Sequence, residues 1–83
     1  MNYQVILPKH VEKKLNGLDK KIQLRMEVAL LHLQSDPYCG KKLEGKYKNC
    51  YSLRVWPYRV IYEIIRKKLV ILIIDIGHRQ GVY

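Results

Sequence analysis

The sequence "YSLRVWPYRVIYEII", residues 51–65, decides how the chain folds. β-Branched and aromatic residues on both sides of Trp56-Pro57 predict two strands joined by a tight turn. Pro57 cannot adopt the positive φ of a type I′ turn, so a two-residue loop is expected only with a cis proline. A loop of two or of four residues pairs Arg54 with Arg59, whereas a loop of three residues shifts that register.

The flanking sequence supplies further strands. Residues 50–56, 58–65 and 69–76 are predicted to form three consecutive strands, with "RKK" at 66–68 as the last turn. An opening strand is predicted at residues 3–7. Together these segments give a mainly antiparallel sheet.

Two helices are predicted between the first strand and the other three. Pro8 ends the opening strand and suits a first helical turn, and Asn16-Gly17 interrupts the helix that follows. Asp19 is expected to cap a second helix that runs to about Gln34. The apolar positions at helical spacing are Val11, Leu15, Leu18, Ile22, Met26, Ala29, Leu30 and Leu33.

The predicted order of elements is β-α-α-β-β-β, with residues 41–49 as a basic connector. Two consecutive helices beside consecutive strands indicate an α+β fold. We therefore predict one domain, residues 1–83, in which an N-terminal strand and a helical hairpin pack on a mainly antiparallel sheet.

The charge of the chain points to a polyanionic partner. The formal net charge is +9, and residues 37–83 carry a net +7 against +2 for residues 1–36. A basic half is typical of nucleic-acid binding, although a solubilising surface is the alternative.

The cysteines and the apolar segments bound the cellular context. Cys39 and Cys50 form neither a disulfide framework nor a zinc-binding spacing, and no secretory leader is recognised. The apolar run at residues 69–74 is far shorter than the roughly 20 residues of a membrane helix. We expect a cytoplasmic protein that uses no metal or other cofactor.

Arg54 opposite Arg59 is the candidate centre of a site. Like charges directly opposite each other on a sheet repel, and the repulsion becomes useful if an anion lies between them. A guanidinium grips phosphate oxygens with two donors. The alternatives are that both arginines extend into solvent or that Arg59 pairs with Asp75.

The last strand adds further candidates. Its end is expected beside Arg59, where Gly77 lets the backbone turn away and places His78, Arg79 and Tyr83 near the same sheet edge. The set holds no paired carboxylates, Ser-His-Asp arrangement or thiol beside a base, and so lacks the usual protein nucleophiles. RNA supplies its own, the 2′-hydroxyl. Arginines would stabilise the charge of the phosphorane, and Tyr83 or His78 would carry a proton or stack on a base.

Other polar and aromatic residues have simpler interpretations. Tyr58 and Tyr62 are expected in the core, and Trp56 at the turn is either exposed or packed. His10 and His32 have no expected ligands nearby. The residues predicted to form a non-specific backbone-binding face are Lys41, Lys42, Lys46 and Lys48.

Three motifs carry a family resemblance: "KLEG" (42–45), "YSLRV" with "YRVIYEI" (51–64), and "GHRQGVY" (77–83). They resemble the RelE/ParE superfamily of bacterial and archaeal toxins, and the basic and aromatic positions are closer to the RelE branch. The resemblance implies a RelE-like fold and a toxin of a type II toxin-antitoxin system. RelE-like toxins are endoribonucleases (mRNA interferases) that cleave mRNA in the ribosomal A site and are held inactive by an antitoxin.

The resemblance also implies roles for single residues. Arg54 matches a basic strand position that contacts the scissile region, and Arg59 and Arg79 match arginines that stabilise transition-state charge. Tyr83 matches a C-terminal tyrosine that orients or deprotonates the 2′-hydroxyl. His78 falls where other members carry a basic or polar residue.

Ser52 is the departure from the pattern, because it occupies an RNA-binding position where the best-known RelE enzymes carry a lysine. Since arginine stays protonated, Arg54 is a poor replacement for a second such lysine in proton transfer. That transfer would fall on Tyr83, His78 or ribosomal RNA.

Two alternatives on the same fold remain open: a ParE-type inhibitor of DNA gyrase and a non-catalytic basic RNA-binding domain. Any toxin implies a cognate acidic antitoxin that folds as it wraps around this small domain, and a heterotetramer with that antitoxin is one expected assembly. The mRNA and the ribosome are the other expected partners, and no membrane is expected.

Overall fold

Two helices pack on a five-stranded sheet in the computed structural model, which describes residues 2–45 and 49–78. Its helices and strands are, in chain order, β1 (Gln4–Ile6), α1 (Lys9–Asn16), α2 (Lys20–Ser35), β2 (Lys41–Lys42), β3 (Cys50–Val55), β4 (Tyr58–Ile65) and β5 (Val70–His78). Short 3₁₀ helices occupy Pro37–Cys39 and Arg66–Lys68. The predicted α+β fold is confirmed.

The two helices form where the apolar spacing predicts them. Val11 and Leu15 lie one turn apart on α1 and are buried against the sheet. Asp19 stands at the N-cap position of α2, but its side chain makes no capping hydrogen bond. Neither α1 nor α2 is long and apolar enough to cross a membrane.

The core lies between the helices and one face of the sheet. Burial of apolar side chains from both layers is the main stabilising contribution in a domain of this size. Its buried members are Val11, Leu15, Met26, Leu30, Leu33, Val55, Val60, Tyr62, Ile71, Ile73 and Ile76.

The sheet has the strand order β1-β5-β4-β3-β2. β1 runs parallel to β5, and the other neighbours pair antiparallel. The predicted order of elements lacked one strand, because the segment interpreted as a basic connector begins with β2. Its two residues pair with β3 in the register Lys41 with Ser52 and Lys42 with Tyr51. Two exposed lysines carry no strand signal of their own, so pairing with β3 decides their conformation.

The C-terminal strand differs from its prediction at both ends. Leu69 adopts a left-handed backbone (φ 53°) that closes the turn, so β5 begins at Val70. β5 continues through Gly77, which pairs with Arg59, and His78, which pairs with Tyr58. The expectation that Gly77 turns the backbone away is therefore wrong. β4 offers backbone partners as far as Tyr58, and a glycine permits a turn without imposing one.

A bulge in β5 redirects its side chains. Ile61 pairs with Asp75 and Tyr62 pairs with Ile73, so Ile74 is the extra residue. Ile74 packs with Leu43 and Ile61 in a small second cluster. That cluster lies on the face opposite the main core, because Ile61 alternates with core residues along β4.

Asp75, next to the bulge, links β5 to α1. Its Oδ1 accepts hydrogen bonds from Lys14 Nζ (2.6 Å) and from the backbone amide of Ile76 (2.9 Å). The ion pair with Lys14 is partly exposed, and solvent screening limits it to less than about 1 kcal/mol. A carboxylate that could have paired with Arg59 is thus engaged with α1.

Candidate functional site

Arg54 and Arg59 are directly opposed across the β3–β4 hairpin, as the sequence predicts. The loop is Trp56-Pro57, and the peptide bond between these two residues is cis. Because Val55 and Val60 point into the core, their neighbours Arg54 and Arg59 lie on the face of the sheet away from the helices. The structure brings the two guanidinium-bearing side chains to one side of the hairpin.

A groove of about 340 Å³ contains both arginines. β2 adds Lys41 to its wall, because Lys41 pairs with Ser52 beside Arg54. Its lining residues are Cys39, Gly40, Lys41, Ser52, Leu53, Arg54 and Arg59. Of the lining residues that the structure describes, three are cationic and none carries a carboxylate, so the groove suits an anion. We call it the arginine groove.

Ser52 lines the arginine groove, but its hydroxyl is buried. The residue is 4% exposed, and among the residues that the structure describes its Oγ has no hydrogen-bond partner. A buried hydroxyl without a partner is costly. The Oγ is itself fully buried, so the hydroxyl lies behind the wall of the groove and not on its surface.

Tyr62 fixes the backbone that forms one wall of the groove. Its hydroxyl donates to the carbonyl of Pro37 (2.8 Å) and accepts from the amide of Gly40 (3.2 Å). Burial raises the pKa of Tyr62 well above its ordinary value near 10, so the phenol stays protonated and remains a donor. The prediction that Tyr62 belongs to the core is confirmed.

Gly40 is required at this wall by close approach. A Cβ at this position would lie 2.5 Å from the Tyr62 hydroxyl and 2.8 Å from the carbonyl oxygen of Ser52. Sequence reasoning did not identify Cys39, Gly40 or Leu53 as part of the site. The dipeptide Cys39-Gly40 is recognisable in the sequence as a turn, but a turn does not indicate that its backbone packs against β3.

His78 lies outside the arginine groove. Its ring packs edge-on against Tyr58, with centroids 5.6 Å apart. Tyr58 packs against the main core, so the His78 ring lies on the helix side of the sheet. Gly77 pairs with Arg59 and brings no side chain of its own to the arginine side.

The remaining predicted site residues either do not line the arginine groove or lie outside the described residues. Lys42 lines a separate cavity of about 460 Å³, with Tyr51, Arg66 and the carboxylate of Glu63 among its neighbours. Trp56 at the hairpin loop is about half exposed. Four candidates lie outside the described residues: Lys46, Lys48, Arg79 and Tyr83.

His32 has neighbours that the sequence did not predict. One ligand-capable atom each of Asp36 and Cys39 lies within 4.8 Å of the other and of a ring nitrogen of His32. The expectation of no nearby ligands is therefore wrong, because the turn after α2 folds Cys39 back towards the helix end. Burial and the nearby Asp36 carboxylate raise the pKa of the Cys39 thiol.

The fold and the groove together define a small basic α+β domain that presents an arginine pair on the sheet face away from the helices. The model of the family described as ParE toxin of type II toxin-antitoxin system, parDE, matches residues 5–83. An Escherichia coli protein that carries the name RelE-like toxin is 32% identical over 83 residues, covering 96% of this chain and 86% of its own.

Solved structures agree with these relatives. The RelE–RelB complex from Pyrococcus horikoshii matches with a TM-score of 0.84 and 32% identity over the full length of both chains. The RelBE2 toxin-antitoxin complex from Mycobacterium tuberculosis matches in fold with a TM-score of 0.87 at 23% identity, covering 95% of this chain and all of that chain.

The chain therefore belongs to the ParE toxin family of type II toxin-antitoxin systems, within the RelE/ParE superfamily. The superfamily resemblance drawn from the three motifs is confirmed.

Proposed function

We propose that this toxin is a ribosome-dependent endoribonuclease that cleaves mRNA by attack of the 2′-hydroxyl on the scissile phosphate. One observation carries the proposal: Arg54 and Arg59 oppose each other in a cationic groove. Because the chain is similar to RelE-like toxins, we take the anion that binds between the arginines to be RNA.

Cleavage by the 2′-hydroxyl of the RNA needs no protein nucleophile, but it does need positive groups that stabilise the charge of the transition state. The 2′-oxygen forms a bond to phosphorus, the bond to the 5′-oxygen breaks, and the products are a 2′,3′-cyclic phosphate and a 5′-hydroxyl. One proton leaves the 2′-oxygen and another reaches the 5′-oxygen. Arg54 and Arg59 would hold the equatorial phosphoryl oxygens as negative charge develops, and Lys41 would position the neighbouring backbone.

Proton transfer is assigned first to Tyr83. This assignment comes from the motif at residues 77–83 and concerns a residue outside those described. His78 is the weaker candidate, because its ring packs against Tyr58 on the opposite side of the sheet from Arg59. Arg79 is assigned with the groove arginines to the transition-state charge on the same sequence grounds.

Cleavage of mRNA on programmed ribosomes tests the proposal. We expect cuts by the purified toxin, and a loss of roughly 10²–10³ in rate for Arg59→Ala, the size typical of one lost preorganised donor. Arg66→Ala, in the exposed 3₁₀ turn after β4, is the matched control and should cleave normally. Wild-type protein that leaves mRNA intact, or equal rates for the two variants, would contradict the proposal.

A ParE-type gyrase inhibitor is the second candidate function, favoured by the family model itself. It uses the same fold and predicts inhibition of DNA supercoiling without RNA cleavage. Running both assays on one protein preparation separates the two functions. A basic domain without catalysis would bind RNA and show neither activity.

We also propose an acidic antitoxin as the partner. Leu24, Val28 and Leu31 form an exposed apolar stripe along α2, and the chain as a whole has a net charge of +9. An acidic amphipathic segment matches both features, and related toxins have been solved as complexes. Light scattering of the co-expressed pair would show whether it forms the expected heterotetramer. Because the proposed substrate is mRNA on the ribosome, the toxin would act in the cytoplasm.

A further inference from the structure

Three side chains with metal-ligand chemistry meet at the C-terminal end of α2. The ligand atoms of His32, Asp36 and Cys39 all lie within 4.8 Å of one another, and each residue is exposed. Spacings of four and three residues bring them to one side of the helix end and of the 3₁₀ helix that follows it. None of the three is needed by the arginine chemistry.

One separation already matches a tetrahedral zinc site, and the other ligand atoms lie within 4.8 Å of each other. Bonds of about 2.0–2.3 Å to nitrogen, oxygen and sulfur place ligand atoms about 3.3–3.8 Å apart. His32 Nε2 already lies 3.8 Å from Asp36 Oδ2. Exposed side chains can close the remaining distance by small rotations about their χ angles.

The backbone holds these residues in place without an ion. The amide of Asp36 donates to the carbonyl of His32 (3.0 Å), and the amide of Cys39 donates to the carbonyl of Asp36 (3.3 Å). On both sides of Cys39 the chain is fixed by the buried Tyr62 hydroxyl, through Pro37 and Gly40. The backbone around the three residues is therefore already ordered, so metal binding would cost little backbone conformational entropy.

We propose that His32, Asp36 and Cys39 bind a Zn²⁺ ion, with water at the fourth position. Imidazole and thiolate favour zinc over magnesium or calcium, and the negative end of the α2 dipole favours a cation. Binding of the ion displaces the proton of the Cys39 thiol to solvent, and the resulting thiolate and the Asp36 carboxylate neutralise its two charges. Cys39 also lines the arginine groove, so the ion would fix one wall of that groove.

Cobalt(II) is the probe, because tetrahedral Co²⁺ absorbs visibly and a thiolate ligand adds a charge-transfer band. We expect both signals on titrating the full-length protein, and their loss when Zn²⁺ is added. Cys39→Ser should remove the charge-transfer band, and His32→Gln or Asp36→Asn should weaken Co²⁺ binding by roughly tenfold or more. Cys50→Ser and His10→Gln are matched controls that should change neither signal.

Several outcomes would overturn the site: no cobalt absorption in the wild type, loss of the thiolate band in Cys50→Ser instead of Cys39→Ser, or unchanged affinity in His32→Gln. Circular dichroism of each variant separates lost ligation from lost folding. These readouts do not involve RNA, so they stand or fall independently of the cleavage proposal.

Discussion

The hydroxyl of Tyr62 accepts a hydrogen bond from the amide of Gly40 and donates one to the carbonyl of Pro37, and it thereby joins the core of the domain to the wall of the arginine groove. The tyrosine itself is fully buried on the helix side of the sheet. The groove is on the other side. One side chain thus couples folding of the core to the shape of the site.

Tyr62→Phe should lower the free energy of unfolding by about 1–3 kcal/mol, because it leaves the buried amide of Gly40 and carbonyl of Pro37 without their partner. Urea unfolding measures the change. Tyr58→Phe, on the same strand and face, is the matched control and should lose less. Equal losses would show that the hydroxyl of Tyr62 makes no special contribution.

Gly40→Ala should also destabilise the fold, by about 1–3 kcal/mol, because its Cβ would meet the Tyr62 hydroxyl and the backbone of Ser52. The Ser52 contact is with backbone and cannot yield by a rotamer change. Thermal unfolding would show the effect. Gly17→Ala is the control, since its nearest neighbours lie at 3.6 Å, and a neutral Gly40→Ala would contradict the close approach.

The hairpin and both helices could be predicted from local patterns. Alternating apolar residues on each side of Trp56-Pro57 predicted the strands, and a loop of two or four residues predicted the pairing of Arg54 with Arg59 that the structure shows. The helical spacing that begins at Val11 predicted the buried face of α1. These features are encoded within short stretches of sequence.

The wall of the groove could not be predicted, because non-local contacts create it. β2 is extended because it pairs with β3. The position of Gly40 depends on a hydrogen bond to Tyr62, which is distant in sequence. The side of the sheet that His78 faces follows from its pairing with Tyr58 beyond the bulge in β5. Spacing along the chain does not contain these relationships.

Phosphate should stabilise the wild-type protein more than Arg54→Gln. An anion that binds the folded state raises the unfolding free energy by RT ln(1 + [L]/Kd), and removing one guanidinium weakens the site. Melting temperatures with increasing phosphate, at constant ionic strength set with chloride, give the comparison. Arg66→Gln is the charge-matched control, and an equal phosphate response in both variants would show that the arginine groove is not the anion site.

Ser52→Ala should leave stability unchanged or raise it by up to about 1 kcal/mol, because it removes a buried hydroxyl that has no partner among the described residues. The same change should leave the phosphate stabilisation unchanged, because the buried hydroxyl is out of reach of an ion in the groove. Paired urea and phosphate titrations measure the two effects separately. A clear loss of stability would show that the hydroxyl has a partner in the folded protein, and weaker phosphate binding would show that the ion reaches it.

The stability of the wild type should fall more steeply above pH 10 than that of Tyr62→Phe. Burial raises the pKa of Tyr62 in the folded protein above its ordinary value near 10, so above that pH the folded state retains a proton that the unfolded state has released. The contribution is fully present below pH 10 and is lost as pH rises, by at most about 1.4 kcal/mol per pH unit. Urea unfolding between pH 8 and about pH 11 for both proteins isolates this residue, because the lysines and cysteines titrate in each. Parallel curves would mean that the Tyr62 phenol ionises as readily in the folded as in the unfolded chain.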